Sequence, residues 1–231
     1  GNMNRGYTLA NNPAWFIPHL DRTINGYLRT RNYASVNLFS LGNEAGNGIN
    51  FQRTYLYMKN HERLGLNRSV SYERAYLEFH SDNYAQMYYS AATLEKLGKD
   101  GTDRPVILWE YSHAMGNSNG NFDKLWSAIY KYPNLQGGYI WDWVDQGFLE
   151  QGKNGKTFWT YGGDYGDGSA PSDGNFNING LVGPDRGPHP ACEEVKYIQQ
   201  DINFELFDVD NQIFKITNRF HFTNLDNYEI S

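Results

Sequence analysis

The chain holds a single cysteine, Cys192, among 231 residues, so no intrachain disulfide can form and nothing argues for an oxidising compartment. Cys192 itself reads as an inert thiol. No apolar run approaches the length that spans a bilayer, and the first residues, GNMNRGYTLA, lack the charged and apolar regions of a signal peptide. The compartment, cytoplasmic or periplasmic, is left open. There is also no long run of charge of one sign. The net charge of −6 comes from 26 acidic and 20 basic residues spread along the chain, which excludes a nucleic-acid footprint and a basic membrane-binding helix as the basis of function. What the chain does have is length for a sizeable core and an abundance of Tyr and Trp, whose flat amphipathic rings fill cores and also make platforms for sugar faces.

Two stretches carry the chemistry. Val106 to Gly120 reads VILWEYSHAMGNSNG, an apolar run that ends on Glu110 and is followed by a histidine and small polar residues. Val36 to Asn47 reads VNLFSLGNEAGN and repeats the arrangement with Glu44, preceded by Asn43. A carboxylate where a buried parallel strand meets its loop stands where α/β barrels place their catalytic groups. The plainer alternative is a helix cap or an arginine partner. Two such carboxylates facing one mouth suit glycoside hydrolysis, one protonating the departing oxygen and the other attacking the anomeric carbon or activating water. Asn43 then sits beside the sugar, able to bond a hydroxyl.

Taken in order, residues 1–18 read as a loop with a helical turn near Pro13 capped by Asn12. A helix is expected from just after Pro18 to Tyr33, with Arg22, Arg29, Arg31 and His19 on its solvated side. A second runs from Phe51 to Leu64, a third from Ala91 to Leu97 ending near Gly98, and a fourth from Asn121 to Tyr132, stopped by Pro133. Between them lie five strands ending near Glu44, Glu73, Tyr88, Glu110 and Trp141, in a strand–helix rhythm that implies parallel pairing. Gln151 to Leu181, with eight glycines, is expected to be an ordered site loop. From Ile202 the runs INFELFDV, QIFKITNRF and NYEIS alternate like the opening strands of a β-sandwich. This divides the chain into residues 1–195 and 196–231.

The strings SLGNEAGNG, EYSHAMGNS, LQGGYIWDWVDQ, YGGDYGD and FNINGL closely resemble, in the same order, bacterial β-galactosidases of glycoside hydrolase family 2, over roughly residues 8 to 200. The resemblance implies an α/β fold, a (β/α)8 TIM barrel represented here by its C-terminal strands. It also implies a retaining exo-β-galactosidase that works as a homo-oligomer or in association with the remaining parts of a parent protein. Residue by residue, Glu44 resembles the acid/base and Glu110 the nucleophile, so Glu44 has to be partly protonated at the start of the reaction and the two carboxyl groups must lie about 5 to 5.5 Å apart. His113 resembles the histidine that bonds the galactose. Tyr88 resembles the tyrosine that touches the nucleophile, although Gln86 replaces the usual proline before it. Trp141 resembles the apolar wall of the sugar pocket, and Trp143 is expected in the core. Phe176 and Asn179 resemble residues that hold a sodium ion through oxygen, and Glu44 one ligand of a magnesium ion whose other ligands fall on a segment before residue 1.

Because the first three strands of a complete barrel do not fall within residues 1–231, the isolated chain is expected to lack measurable galactosidase activity. Two other readings compete: a carbohydrate-binding remnant that performs no chemistry, and a related family 2 glycosidase with another sugar specificity, such as a glucuronidase or mannosidase.

Overall fold

The computed structural model describes residues 7–229. A 3-10 turn at Pro13–Trp15, whose Asn12 side chain accepts from the Ala14 amide at 3.0 Å, leads into helix α1, Phe16–Thr30. The helix starts ahead of Pro18, because proline is tolerated in a first turn whose amides have no intrahelical partner. Strand β1 is Leu38–Ser40, helix α2 is Ile49–Glu62 and strand β2 is Ser69–Ser71. In α2 the positions Phe51, Tyr55 and Met58 form the buried stripe, while Leu64 lies beyond the helix and is exposed.

Strand β3 (Tyr84–Met87), helix α3 (Ala91–Asp100), strand β4 (Val106–Tyr111), helix α4 (Phe122–Lys131) and strand β5 (Leu135–Ile140) complete the expected alternation. Helix α3 runs past Gly98 and ends at Gly101, whose φ of 78° favours glycine. Gly98 is instead a packing residue: a Cβ there would overlap the ring of Tyr132.

All five strands pair in parallel, in two sheets of order β1-β2 and β3-β4-β5. Helices α2, α3 and α4 make the crossovers within each sheet. The exception to the rhythm is the link from β2 to β3, which carries only a 3-10 turn, Glu73–Ala75. Side chains close that seam in place of a backbone ladder. Tyr72 N–H donates to Ser81 Oγ, Asn83 to Ser71 Oγ, and Gln86 to the Glu73 carbonyl. Arg104 anchors the link from below by donating to the carbonyls of Glu78 and Ser81.

One core cluster packs Val106, Leu108, Tyr111 and Leu135 of the sheet against Leu94 of α3 and Phe122, Ala128 and Ile129 of α4. Two smaller clusters join β1 and β2 to the first two helices through Tyr27, Phe39, Tyr55, Met58 and Val70, and through Phe51, Tyr72, Ala10 and Ala75.

The segment expected to be a loop contains an antiparallel hairpin, strand β6 (Phe148–Gln151) with strand β7 (Thr157–Thr160). Its connection carries Asn154-Gly155, a turn pair suited to a left-handed glycine, and Gly155 has φ 77°. Helix α5, Ala191–Ile198, spans residue 195, and its Val195 and Ile198 pack against the main core cluster. Strands β8 (Ile202–Asp208) and β9 (Ile213–Asn218) then form an antiparallel hairpin. In the third expected run, Asn227 to Glu229 are not a strand; Ile230 and Ser231 lie outside the described residues.

Candidate active site

The C-terminal ends of the parallel strands converge on one group of side chains. Glu44 stands in the loop after β1 with φ 49°, Tyr88 follows β3 with φ 53°, and Ser112 follows β4 with φ 50°. Left-handed backbone is uncommon for residues with a Cβ and persists where neighbouring contacts over-determine it. In the Glu44 loop those contacts are visible. The Glu44 amide donates to Glu73 Oε1 at 2.7 Å, the Ala45 amide to the Tyr72 hydroxyl at 3.2 Å, and that hydroxyl to the Gly46 carbonyl at 2.5 Å. Asn47 donates to the Arg74 carbonyl at 2.7 Å and meets His80 Nε2 through its amide oxygen at 2.9 Å.

Glu110 reaches the same mouth because β4 carries one extra residue relative to both neighbours in the stretch after Leu108. Leu108 pairs with Gln86 and Glu110 with Met87 on one side, Leu108 with Gly138 and Tyr111 with Ile140 on the other. Strict alternation from Val106 and Leu108 would turn Glu110 toward α4; the bulge puts Tyr111 into that core and releases Glu110. The Tyr88 hydroxyl donates to Glu110 Oε2 at 2.9 Å. Burial pushes the Glu110 carboxyl above the ordinary carboxylate range, the Tyr88 hydrogen bond pulls it down, the Glu44 charge raises it, Arg74 lowers it and Asp142 raises it. The charge of Glu44 thus reaches Glu110. The Tyr88 phenol is pushed up by burial first and by its bond to Glu110 second, and feels Glu44 and Asp142 as well.

His113 lies between two aromatic rings, 6.2 Å from Tyr88 and 5.4 Å from Phe176 by centroid. Its Nε2 is buried with no hydrogen-bond partner, unlike a histidine that merely satisfies its loop. The adjoining Ala114 amide donates to the Trp141 carbonyl at 2.7 Å, and the Trp141 amide to the Tyr111 carbonyl at 3.0 Å, which ties the half-buried Trp141 to the His113 loop. Asn43 is exposed beside Glu44. Asn179 is fully buried, its backbone carbonyl accepts from Asp142, and its side-chain Oδ1 has no hydrogen-bond partner. Phe176 is half exposed against His113.

Trp143 corrects the sequence expectation: it is 62% exposed, not in the core. Strand β5 ends at Ile140, and the following residues bond to the 179–182 segment through Asp142–Asn179, Leu181–Asp142 and Val182–Trp143, so alternation cannot be extended to it. The residues not singled out from the sequence are Glu73, Arg74 and Asp142. Glu73 ends its strand-like run as Glu44 and Glu110 do, which was the available signal. It is 3% exposed; burial pushes its carboxyl up against the pull of the Glu44 amide and of Arg74. A cavity of about 560 Å³ lies along β1 and α1 among Phe39, Leu41 and Phe51, and reaches the site loop at Gly42 and Ala45.

Paired carboxylates at the C-terminal ends of parallel strands define the barrel-type glycosidase arrangement. Comparison with known proteins gives the family. Residues 2–204 match the domain described as "Glycosyl hydrolases family 2, TIM barrel domain", and the chain belongs to that family. It is 38% identical to a β-galactosidase of Yersinia enterocolitica over 95% of its length, and 38% identical to those of Photobacterium profundum over 99% and Vibrio vulnificus over 96%. The chain spans 22–23% of the length of these relatives. Among solved structures, Ruminococcus gnavus β-glucuronidase (TM-score 0.52, 16% identity, 80% of this chain and 35% of that one) and a β-galacturonidase from Eisenbergiella tayi (TM-score 0.52, 14% identity, 80% and 37%) share its α/β fold.

Proposed function

We propose that this chain supplies the two catalytic carboxylates of a retaining glycosidase that removes terminal β-D-galactosyl residues. The observation that carries the reading is that Glu44 and Glu110, remote in sequence, are joined through one chain of contacts at the strand ends: the Glu44 amide bonds Glu73, the Glu73 carbonyl accepts from Gln86, and Tyr88, two residues further on, donates to Glu110. The relatives' common description as β-galactosidases supports the sugar.

In this reading Glu110 attacks the anomeric carbon while Glu44 protonates the departing oxygen; Glu44 then takes a proton from the water that releases the sugar. Tyr88 holds the nucleophile in its charged form. His113 Nε2 bonds a sugar hydroxyl, Asn43 a second one, and the Trp141 ring packs on the apolar sugar face. The buried, unpartnered Oδ1 of Asn179 fits an oxygen ligand for a hard cation, and with the Phe176 carbonyl it would hold sodium, which when bound supplies an anchor for a sugar hydroxyl. Of the magnesium ligands the resemblance implies, Glu44 is the one within residues 1–231. Among the described residues no three His, Cys, Asp or Glu side chains are grouped to hold a metal, and Glu44 Oε1 is already paired with Arg74 at 3.2 Å. The rest of the site, the remaining barrel strands and any subunit contacts are assigned to polypeptide outside residues 1–231, with β8 and β9 opening a following β-sandwich.

The test is to incubate the full-length protein with a 2-deoxy-2-fluoro-β-galactoside bearing a good leaving group and to map the adduct by mass spectrometry. The expected result is a fluorogalactosyl ester on Glu110 that is absent from Glu110→Gln. Sugar binding with no adduct and no turnover would instead favour a binding remnant.

A further inference from the structure

We infer that Glu73 and Arg74 are positioning residues for Glu44, fixing both the backbone that carries it and the one oxygen left to it for proton transfer. The inference rests on Glu44 being the acid/base.

Glu73 and Arg74 occupy the 3-10 turn after β2, and each grips Glu44 at a different point. The buried Glu73 carboxylate accepts the Glu44 amide at 2.7 Å, where Glu44 adopts φ 49°, a conformation a glutamate does not choose unaided. The Arg74 guanidinium spans from Glu73 Oε1, 3.5 Å from Nε, to Glu44 Oε1, 3.2 Å from Nη2. One turn therefore holds the main chain of Glu44 through an anion and its side chain through a cation. The turn is itself held: Gln86 donates to the Glu73 carbonyl at 2.8 Å and Asn47 to the Arg74 carbonyl at 2.7 Å.

A loop staple alone would explain the amide bond, but not a guanidinium aimed at the acid's own carboxylate, nor a second Glu73 oxygen buried without a hydrogen-bond partner. With Oε1 of Glu44 engaged by Arg74, Oε2 is the oxygen that exchanges the proton. It gives that proton to the glycosidic oxygen as the C1–O bond breaks and a Glu110 oxygen bonds C1. It then takes one from water as the water oxygen displaces Glu110. A carboxylate free to rotate about its last torsion would spread both oxygens over many directions, whereas the Arg74 contact selects one.

The discriminating experiment compares kcat/KM of the full-length protein on two galactosides: a dinitrophenyl one, whose leaving group departs without a proton, and an alkyl one, whose leaving group needs it. Glu44→Gln serves as the reference, with a large loss on the alkyl substrate and little on the dinitrophenyl one. Arg74→Gln and Glu73→Gln are expected to copy this pattern more weakly, falling about 10- to 100-fold on the alkyl substrate and less than about threefold on the other, with Arg74→Lys partly restored. An equal fall on both substrates, or none on either, while Glu44→Gln behaves as the reference, overturns the positioning role. If Glu44→Gln itself loses both substrates equally, the acid/base assignment fails and this inference with it. Should Glu73→Gln not fold, Arg74→Gln, whose side chain lies at the edge of the site, decides alone.

Discussion

The Tyr88 hydroxyl donates to Glu110 Oε2 at 2.9 Å across the ends of two adjacent parallel strands, at the place where β4 bulges between Leu108 and Tyr111. It is also the main influence holding the Glu110 carboxyl down, against burial and against the charges of Glu44 and Asp142. Tyr88→Phe removes the donor and leaves the ring. Its kcat should fall about 100-fold, the scale set by loss of one preorganised donor at a charge-bearing centre. The acid limb of the rate profile should move to higher pH, because the proton on Glu110 is then bound more tightly. Steady-state kinetics of the full-length variant across pH check both.

A second expectation concerns stability. Burial raises the Glu110 carboxyl in the folded state, so its ionisation works against folding, an effect that sets in above the ordinary carboxylate range and is complete above the raised value. Glu110→Gln should abolish turnover and yet melt at the same or a higher temperature at neutral pH. The advantage should shrink as pH falls and vanish below the ordinary carboxylate range, which thermal melts over a pH series will show.

Far from the site, Arg68 donates to both carboxylate oxygens of Glu62, at 2.9 and 2.8 Å, and Tyr27 donates to one of them at 2.8 Å. The Arg68 bond is the main cause that lowers the Glu62 carboxyl to about 2, and both side chains are almost wholly buried. Arg68→Met should cost about 3–5 kcal/mol by leaving a buried charge alone, and replacing both partners by apolar residues should cost less. For a carboxyl held below its ordinary value, the stabilisation is complete above about pH 4.5 and is lost as pH falls toward about 2. Denaturant titrations at several pH values test the magnitude and the window.

Gly98 makes a prediction with a sign opposite to the usual one. Glycine to alanine inside a helix ordinarily stabilises by about 0.5–1 kcal/mol. Here the added methyl would meet the body of the Tyr132 ring, which is held by its hydroxyl bond to Glu95 at 2.7 Å. Gly98→Ala should therefore destabilise by about 1–3 kcal/mol, read as a lowered melting temperature.

Much of the frame is legible in the sequence. Apolar runs mark the strands ending near Glu44, Glu110 and Trp141, whereas the strand ending near Tyr88 follows only from the strand–helix rhythm; Gly and Pro punctuation with apolar spacing marks four helices, because these signals are local and lie within a single turn or strand. The hairpin β6–β7 escaped notice within a glycine-rich stretch, although Asn154-Gly155 marked its turn. Trp143 lies beyond the point where β5 stops, so strand alternation does not govern its exposure. The plain link from β2 to β3 broke the strand–helix rhythm, since side chains rather than a crossover helix close that seam.

Sequence alone determined that Glu44 and Glu110 lie at or just past the C-terminal ends of strands, and that Tyr88, His113, Trp141, Phe176 and Asn179 lie in stretches resembling a sugar site. Tertiary structure decided which way these side chains turn and what grips them: the bulge that frees Glu110 from the α4 core, the Tyr88 donor, and the Glu73–Arg74 turn on Glu44. The reason is physical. A strand-end position follows from local pattern, but a one-residue shift in register reverses the face of every later side chain, and register is set by pairing between segments far apart in the chain.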